Sequence, residues 1–166
     1  NGYAITAVLG RRAIMEAAQS TFISSTFWTE RIGSAAALKT LEVMNNMKSW
    51  ENITKTGLEI RDRWQKLADQ HALKIEHWGL PALTGFTFVH DYSLQYKTLI
   101  TQEMLAKGYL VGNSVYVCID HTKEVLDPYF EVLDKTFALV KECQEGRDVL
   151  SLLKGPICHA GFKRLN

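Results

Sequence analysis

The chain has 166 residues, 46% apolar and 22% charged, a size and composition that allow a compact fold and argue against disorder. Nineteen basic against eighteen acidic residues leave a net charge of +1, which excludes the basic field that nucleic acid or an anionic membrane selects. No apolar run reaches the ~20 residues of a membrane span, and Cys118, Cys143 and Cys158 are spaced for neither a disulfide framework nor a metal knuckle, so free thiols and a cytoplasmic protein are expected.

The opening Asn1-Gly2-Tyr3 reads as the interior of a longer sequence, so a truncated polypeptide is expected. Residues 4–9, AITAVL, are apolar and bounded by Gly2 and Gly10, which predicts a buried strand. Arg11 and Arg12 lead into a short helix over IMEAAQ, and Thr21, Phe22 and Ile23 form a second candidate strand. Ser24, Ser25 and Thr26 read as a loop before a long helix over 32–47, with Ala37, Leu41 and Met44 on one face. A second helix over 53–71 places Ile53, Ile60, Trp64, Leu67 and His71 on a buried stripe. Strands are predicted at 73–78, at 85–89 with Phe86 and Phe88 on one side, and at 115–119 with Val115, Val117 and Ile119 alternating. The turn at 79–81 makes the first two an antiparallel pair.

A helix over 94–107 ends at Gly108, a suitable C-cap. Asp127 as N-cap and Pro128 in the first turn open another, burying Phe130, Leu133, Phe137 and Val140. A shorter helix over 148–153 precedes the tail. The order predicts an α+β fold in which a small antiparallel sheet of about three strands packs with helices. The polar segment 49–54 is the expected boundary, dividing the chain into 1–50 and 51–166.

Two stretches carry a family resemblance. The opening NGYAITAVLGRRAIME matches at Gly2, Ala4, Gly10, Arg11 and Met15, and in STFWTERIGSAAALKTLEVM a threonine precedes a helix rich in small residues. Both resemble class III pyridoxal-phosphate-dependent aminotransferases of fold type I, in the branch similar to glutamate-1-semialdehyde aminomutase. The downstream order of elements is similar to that family's C-terminal small domain, so the resemblance covers nearly the whole chain. It implies that 1–50 is the end of the large cofactor-binding domain with its connecting helix, a strand and helix remnant, and that 51–166 is the small domain. It further implies pyridoxal phosphate as cofactor of the intact enzyme, a homodimer, and a small amino or keto substrate, of a sugar or polysaccharide pathway, handled by a transaminase or aminomutase.

The family's phosphate-binding threonine, which serves the neighbouring subunit's cofactor, matches Thr26. A hydroxyl and free amides just ahead of a helix suit an anion. The alternative is that Ser24, Ser25 and Thr26 merely cap that helix. Two departures stand out: Thr29, Glu30 and Arg31 replace the family's glycine, asparagine or histidine, and proline, and NSVYVCID lacks the arginine that pairs with an α-carboxylate. Recognition of an ordinary α-amino acid is therefore not expected. The family's Schiff-base lysine falls before the position of Gly2, while Lys39, Lys48, Lys55 and Lys66 read as solvated helix residues. By itself the chain is expected neither to hold the cofactor nor to catalyse.

Other groups read as structural. His71 and His77 do not share metal-ligand geometry, and the pairs His90-Asp91 and Asp120-His121 suit capping better than base catalysis. Cys158-His159 lacks the turn of a thiol protease. The rival reading is a free-standing, non-catalytic α+β binding module.

Overall fold

A computed structural model describes residues 2–23 and 26–161. Contacts divide the chain into two compact units, Asn1–Ser49 and Trp50–Asn166. In the first, α1 (Arg12–Met15) continues into a 3₁₀ turn at Glu16–Ser20, and α2 (Ile32–Met47) has the bounds its periodicity predicts. Its apolar face is not covered within this unit, since Leu41 remains 63% exposed and the buried residue of the helix is Gly33.

The strands expected at 4–9 and 21–23 do not form; both stretches are irregular, and Val8, Leu9 and Phe22 are exposed. Apolar character alone does not make a strand, because each extended backbone needs a neighbour for its N–H and C=O groups. No strand is present among the described residues of this unit. Ser24 and Ser25 of the expected loop lie outside the described residues, and Thr26 forms a bend.

Residues 49–54, expected as a polar interruption, are helical. They begin α3 (Ser49–Gln70), and the break falls on Lys48 alone, which closes α2 in the left-handed region with φ 47°. Lys39, Lys55 and Lys66 on the helices and Lys48 between them are exposed, as expected of residues in or beside helices.

The second unit is α+β. β1 (Ile75–Leu80) pairs antiparallel with β2 (Leu83–Phe88), which pairs antiparallel with β3 (Ser114–Tyr116), giving one sheet in the order β1-β2-β3. β1 starts two residues later than expected because Ala72 adopts φ 51° and the Leu73 amide bonds back to Ala68 O at 2.8 Å, closing α3. β3 stops at Tyr116 because its partner stops there: Tyr116 faces Leu83, the first residue of β2. Val117 adds one bond to Ala82 O, and Ile119, expected on the buried face, is exposed in the following turn.

Two helices complete the unit, α4 (Ser93–Leu105) and α5 (Lys123–Gln144). The expected start of α5 at Asp127 is overturned, since Thr122 is its N-cap and Pro128 lies inside it. The extra first turn buries Leu126, and that contact holds the chain helical ahead of a proline that cannot donate to Glu124. The expected short helix near 148–153 is a 3₁₀ turn at Leu150–Leu152.

Period does predict the core here. Ile60 and Trp64 of α3, Phe86 and Phe88 of β2, and Phe130, Leu133, Phe137 and Val140 of α5 are all buried together with Tyr96, Leu99 and Ile100 of α4. The β1–β2 hairpin is clamped to α3 by Arg61, whose Nε donates to Thr84 Oγ1 at 2.5 Å and whose Nη2 donates to the Trp78 carbonyl at 3.1 Å and to that of Gly79. Beneath the clamp, Gly57 touches the Pro81 backbone so closely that a Cβ would stand 1.9 Å from the carbonyl oxygen.

His77 on β1 stacks near Trp64, with ring centroids 6.4 Å apart and planes 14° apart, and both its ring nitrogens are buried without a hydrogen-bond partner among the described residues. Burial first, and the Arg61 charge second, lower its pKa, opposed only by the Gly85 backbone.

Two outcomes are expected. Gly57→Ala should lower the denaturant midpoint, destabilising by roughly 1–3 kcal/mol through overpacking, although helix propensity alone favours alanine by about 1 kcal/mol. A raised midpoint would show that the hairpin does not press on α3. Because the folded pKa of His77 lies below its ordinary 6.5, the unfolded chain takes up the proton more readily. Its contribution to stability is therefore complete above about pH 6.5 and declines as pH falls below it, and urea titrations across that range should show a slope that His77→Gln flattens. An identical slope in both proteins would refute the assignment.

Candidate functional site

Thr26 is exposed and sits six residues ahead of α2 rather than at its first turn. Its hydroxyl makes no hydrogen bond to another described residue, and neither Thr26 nor any side chain at Arg31, the N-cap position, closes the helix. The closure comes from Glu30: its carboxylate accepts from the Ile32 amide at 2.5 Å and the Gly33 amide at 3.2 Å. Capping by Thr26 is thereby ruled out for α2. A carboxylate at this end of a helix is favoured both by the unpaired amides and by the helix dipole.

Thr26, Phe27 and Glu30 line a cavity of about 460 Å³, together with Gly33 and Ser34 of α2 and the segment 4–6. Gly33 permits this arrangement, since a Cβ there would lie 3.1 Å from Ala4 O and 3.4 Å from the Glu30 carboxylate. Sequence reasoning singled out Thr26 and overlooked the cap. The available signal was a long acidic side chain two and three residues before amides that a helix leaves free.

For a cofactor phosphate, the fit is split. Thr26 lines the cavity and its hydroxyl bonds to no other described residue, whereas two of the α2 amides that would receive an anion are already bonded to Glu30. No group of three His, Cys, Asp or Glu among the described residues could hold a metal ion.

The second unit has its own cavity, of about 370 Å³, bordered by Trp64, Tyr109, Val115, His121, Leu126 and Tyr129. Trp64 Nε1 donates to the Tyr129 hydroxyl at 3.1 Å, and burial pushes that phenol up to about 12, so it stays neutral. Four of the other candidate groups have structural partners. His71 Nε2 lies 2.6 Å from Asp134, His90 Nδ1 accepts from the Tyr92 amide, and His121 Nδ1 accepts from the Cys118 amide at 3.1 Å. Cys158 ties the C-terminal segment to α4, its amide donating to Thr98 Oγ1 at 3.0 Å and its thiol to Leu94 O at 3.6 Å. All three cysteines are free thiols, as expected, and β3 carries no arginine. No described helix is long and apolar enough to cross a membrane.

No family model matches the chain. Its sequence is 28% identical over 151 residues to 3-aminobutyryl-CoA aminotransferase of Cloacimonas acidaminovorans, covering 86% of this chain and 36% of the relative. It is 25% identical over 159 residues to aminopentol aminotransferase of Sphingopyxis macrogoltabida, covering 95% and 36%, and 30% identical over 141 residues to 2'-deamino-2'-hydroxyneamine transaminase of Streptomyces kanamyceticus, covering 80% and 35%. The chain thus spans little more than a third of the length of these curated relatives, in their C-terminal part. Its fold is shared with the pyridoxal-phosphate internal aldimine form of the FumI protein of Sphingopyxis sp. MTA144, with a TM-score of 0.73 at 20% identity over 87% of this chain and 36% of that one.

Proposed function

We infer the function from a chain that corresponds to the C-terminal part of a pyridoxal-phosphate-dependent aminotransferase, and we propose that in the intact protein it completes a site where an amino group is moved on a small amine or ketone. The extent of the likeness supports this: relatives named as aminotransferases or a transaminase each match 80% or more of the chain. Pyridoxal phosphate, when bound, supplies the aldehyde and electron-withdrawing ring that such chemistry needs. We assign 1–50 to the end of the large domain and 51–166 to the small domain.

Within this chain the residue assigned to the cofactor is Thr26, whose hydroxyl donates to the phosphate. Its exposure, a hydroxyl not bonded to any other described residue, and its place on a cavity all support the role. In the family resemblance that threonine serves a neighbouring subunit, so the intact protein is read as a homodimer. The relatives' names mention a butyryl-CoA amine, an aminopentol and a neamine derivative, none of them a plain α-amino acid. Together with a β3 that lacks arginine, this favours an amine other than an α-amino acid, and the aminopentol and neamine names support a hydroxylated or sugar-derived one. All three names denote transfer, which favours aminotransfer over the mutase alternative.

Replacing Thr26 by Val in the intact protein should weaken retention of pyridoxal phosphate by roughly tenfold to a hundredfold, the worth of one charge-assisted hydrogen bond. Thr26→Ser should restore it. Because Thr26 caps no helix, the melting temperature should change little, and unaltered cofactor affinity in the Val variant would remove the assignment.

A further inference from the structure

The cavity bordered by Thr26 already contains a negative charge. Glu30 is the one ionisable side chain among its described lining residues, which include no Lys, Arg or His. An α-helix leaves four N-terminal amides without internal partners. In α2 the first internal bond runs from the Ala35 amide to Arg31 O, so the open donors include Ile32, Gly33 and Ser34, of which Glu30 takes the first two. The Glu30 side chain is exposed and its carboxylate is held by these two amide bonds, beside Gly33, which is buried with the Ala4 carbonyl close to its Cα. A phosphate entering this space meets a like charge and finds the favourable end of the helix engaged.

We propose that Glu30 is a positioning residue that closes the N-terminal end of α2 to external anions, confines phosphate recognition in this unit to the Thr26 hydroxyl and the bend that carries it, and thereby holds the site's intrinsic phosphate affinity down. This rests on the reading of Thr26 as a phosphate donor. Its consequence is that the counter-charge for a phosphate dianion has to come from outside the first unit, because the cavity supplies none.

The test uses the intact protein and two probes, pyridoxal 5'-phosphate and pyridoxal, whose ratio of dissociation constants isolates the phosphate contribution. Glu30→Gln removes the charge while leaving one oxygen to accept from an amide, and the preference for the phosphorylated probe should rise by roughly tenfold. Glu30→Asp keeps the charge and should stay near wild type, and Glu30→Ser substitutes for the Gln variant if that fails to fold. Melting temperatures are followed in parallel. A residue that only caps α2 would lower the melting temperature of Glu30→Gln and leave the ratio unchanged; that result, or a lowered ratio, overturns the role of Glu30. Thr26→Val reports separately: a ratio it leaves unchanged removes the Thr26 assignment, while a rise in Glu30→Gln still supports the closed helix end.

Discussion

The second unit is organised around the Phe86 ring. Trp64 of α3 lies 4.9 Å from it, Phe88 of the same strand 5.6 Å and Phe137 of α5 5.7 Å, each in a tilted or edge-on orientation that opposes the positive rim of one ring to the negative face of another. Phe88 carries the chain of contacts on to Tyr96 of α4 at 5.6 Å. A helix from before the hairpin, the central strand and both following helices thus meet on one aromatic cluster. Each such pair is worth about 0.5–1.5 kcal/mol beyond the area it buries, and losing one would loosen elements distant in sequence.

The polar devices around that cluster follow from it. Once Trp64 is buried its indole N–H requires an acceptor, and Tyr129 provides one; burial also favours the neutral form of His77. Arg63 spans α3 and α5 at the rim, bonded to Asp127 at 2.6 Å with its guanidinium 4.0 Å above the Phe130 ring. Half-exposed contacts of this kind add little individually. His90 and His121, which sequence alone offered as bases or caps, accept amides in turns, and His71, weighed as a metal ligand, lies against Asp134.

The first unit is built differently. Its helix α2 has small residues early and exposed apolar ones later, and its described loops bury almost nothing. What order it has near Thr26 comes from polar contacts: a carboxylate on helix amides and a glycine against a backbone carbonyl.

Much of this was legible in the sequence by period alone. The long helices, the antiparallel sheet and the inward positions of α3, β2 and α5 follow from residues spaced at three, four and two, because burial on one face requires that spacing whatever the partner. The family resemblance was carried by Gly2, Ala4, Gly10, Arg11 and Met15 of the opening and by Thr26 ahead of a helix rich in small residues. Tertiary structure decided the rest. It removed two apolar strands that had nothing to pair with, shortened β3 to the length of its partner, and drew α5 a turn past its expected start to bury Leu126. It also separated Thr26 from the helix end and gave that end to Glu30, since which oxygen reaches a free amide depends on where the chain bends and not on which residues stand beside it in sequence.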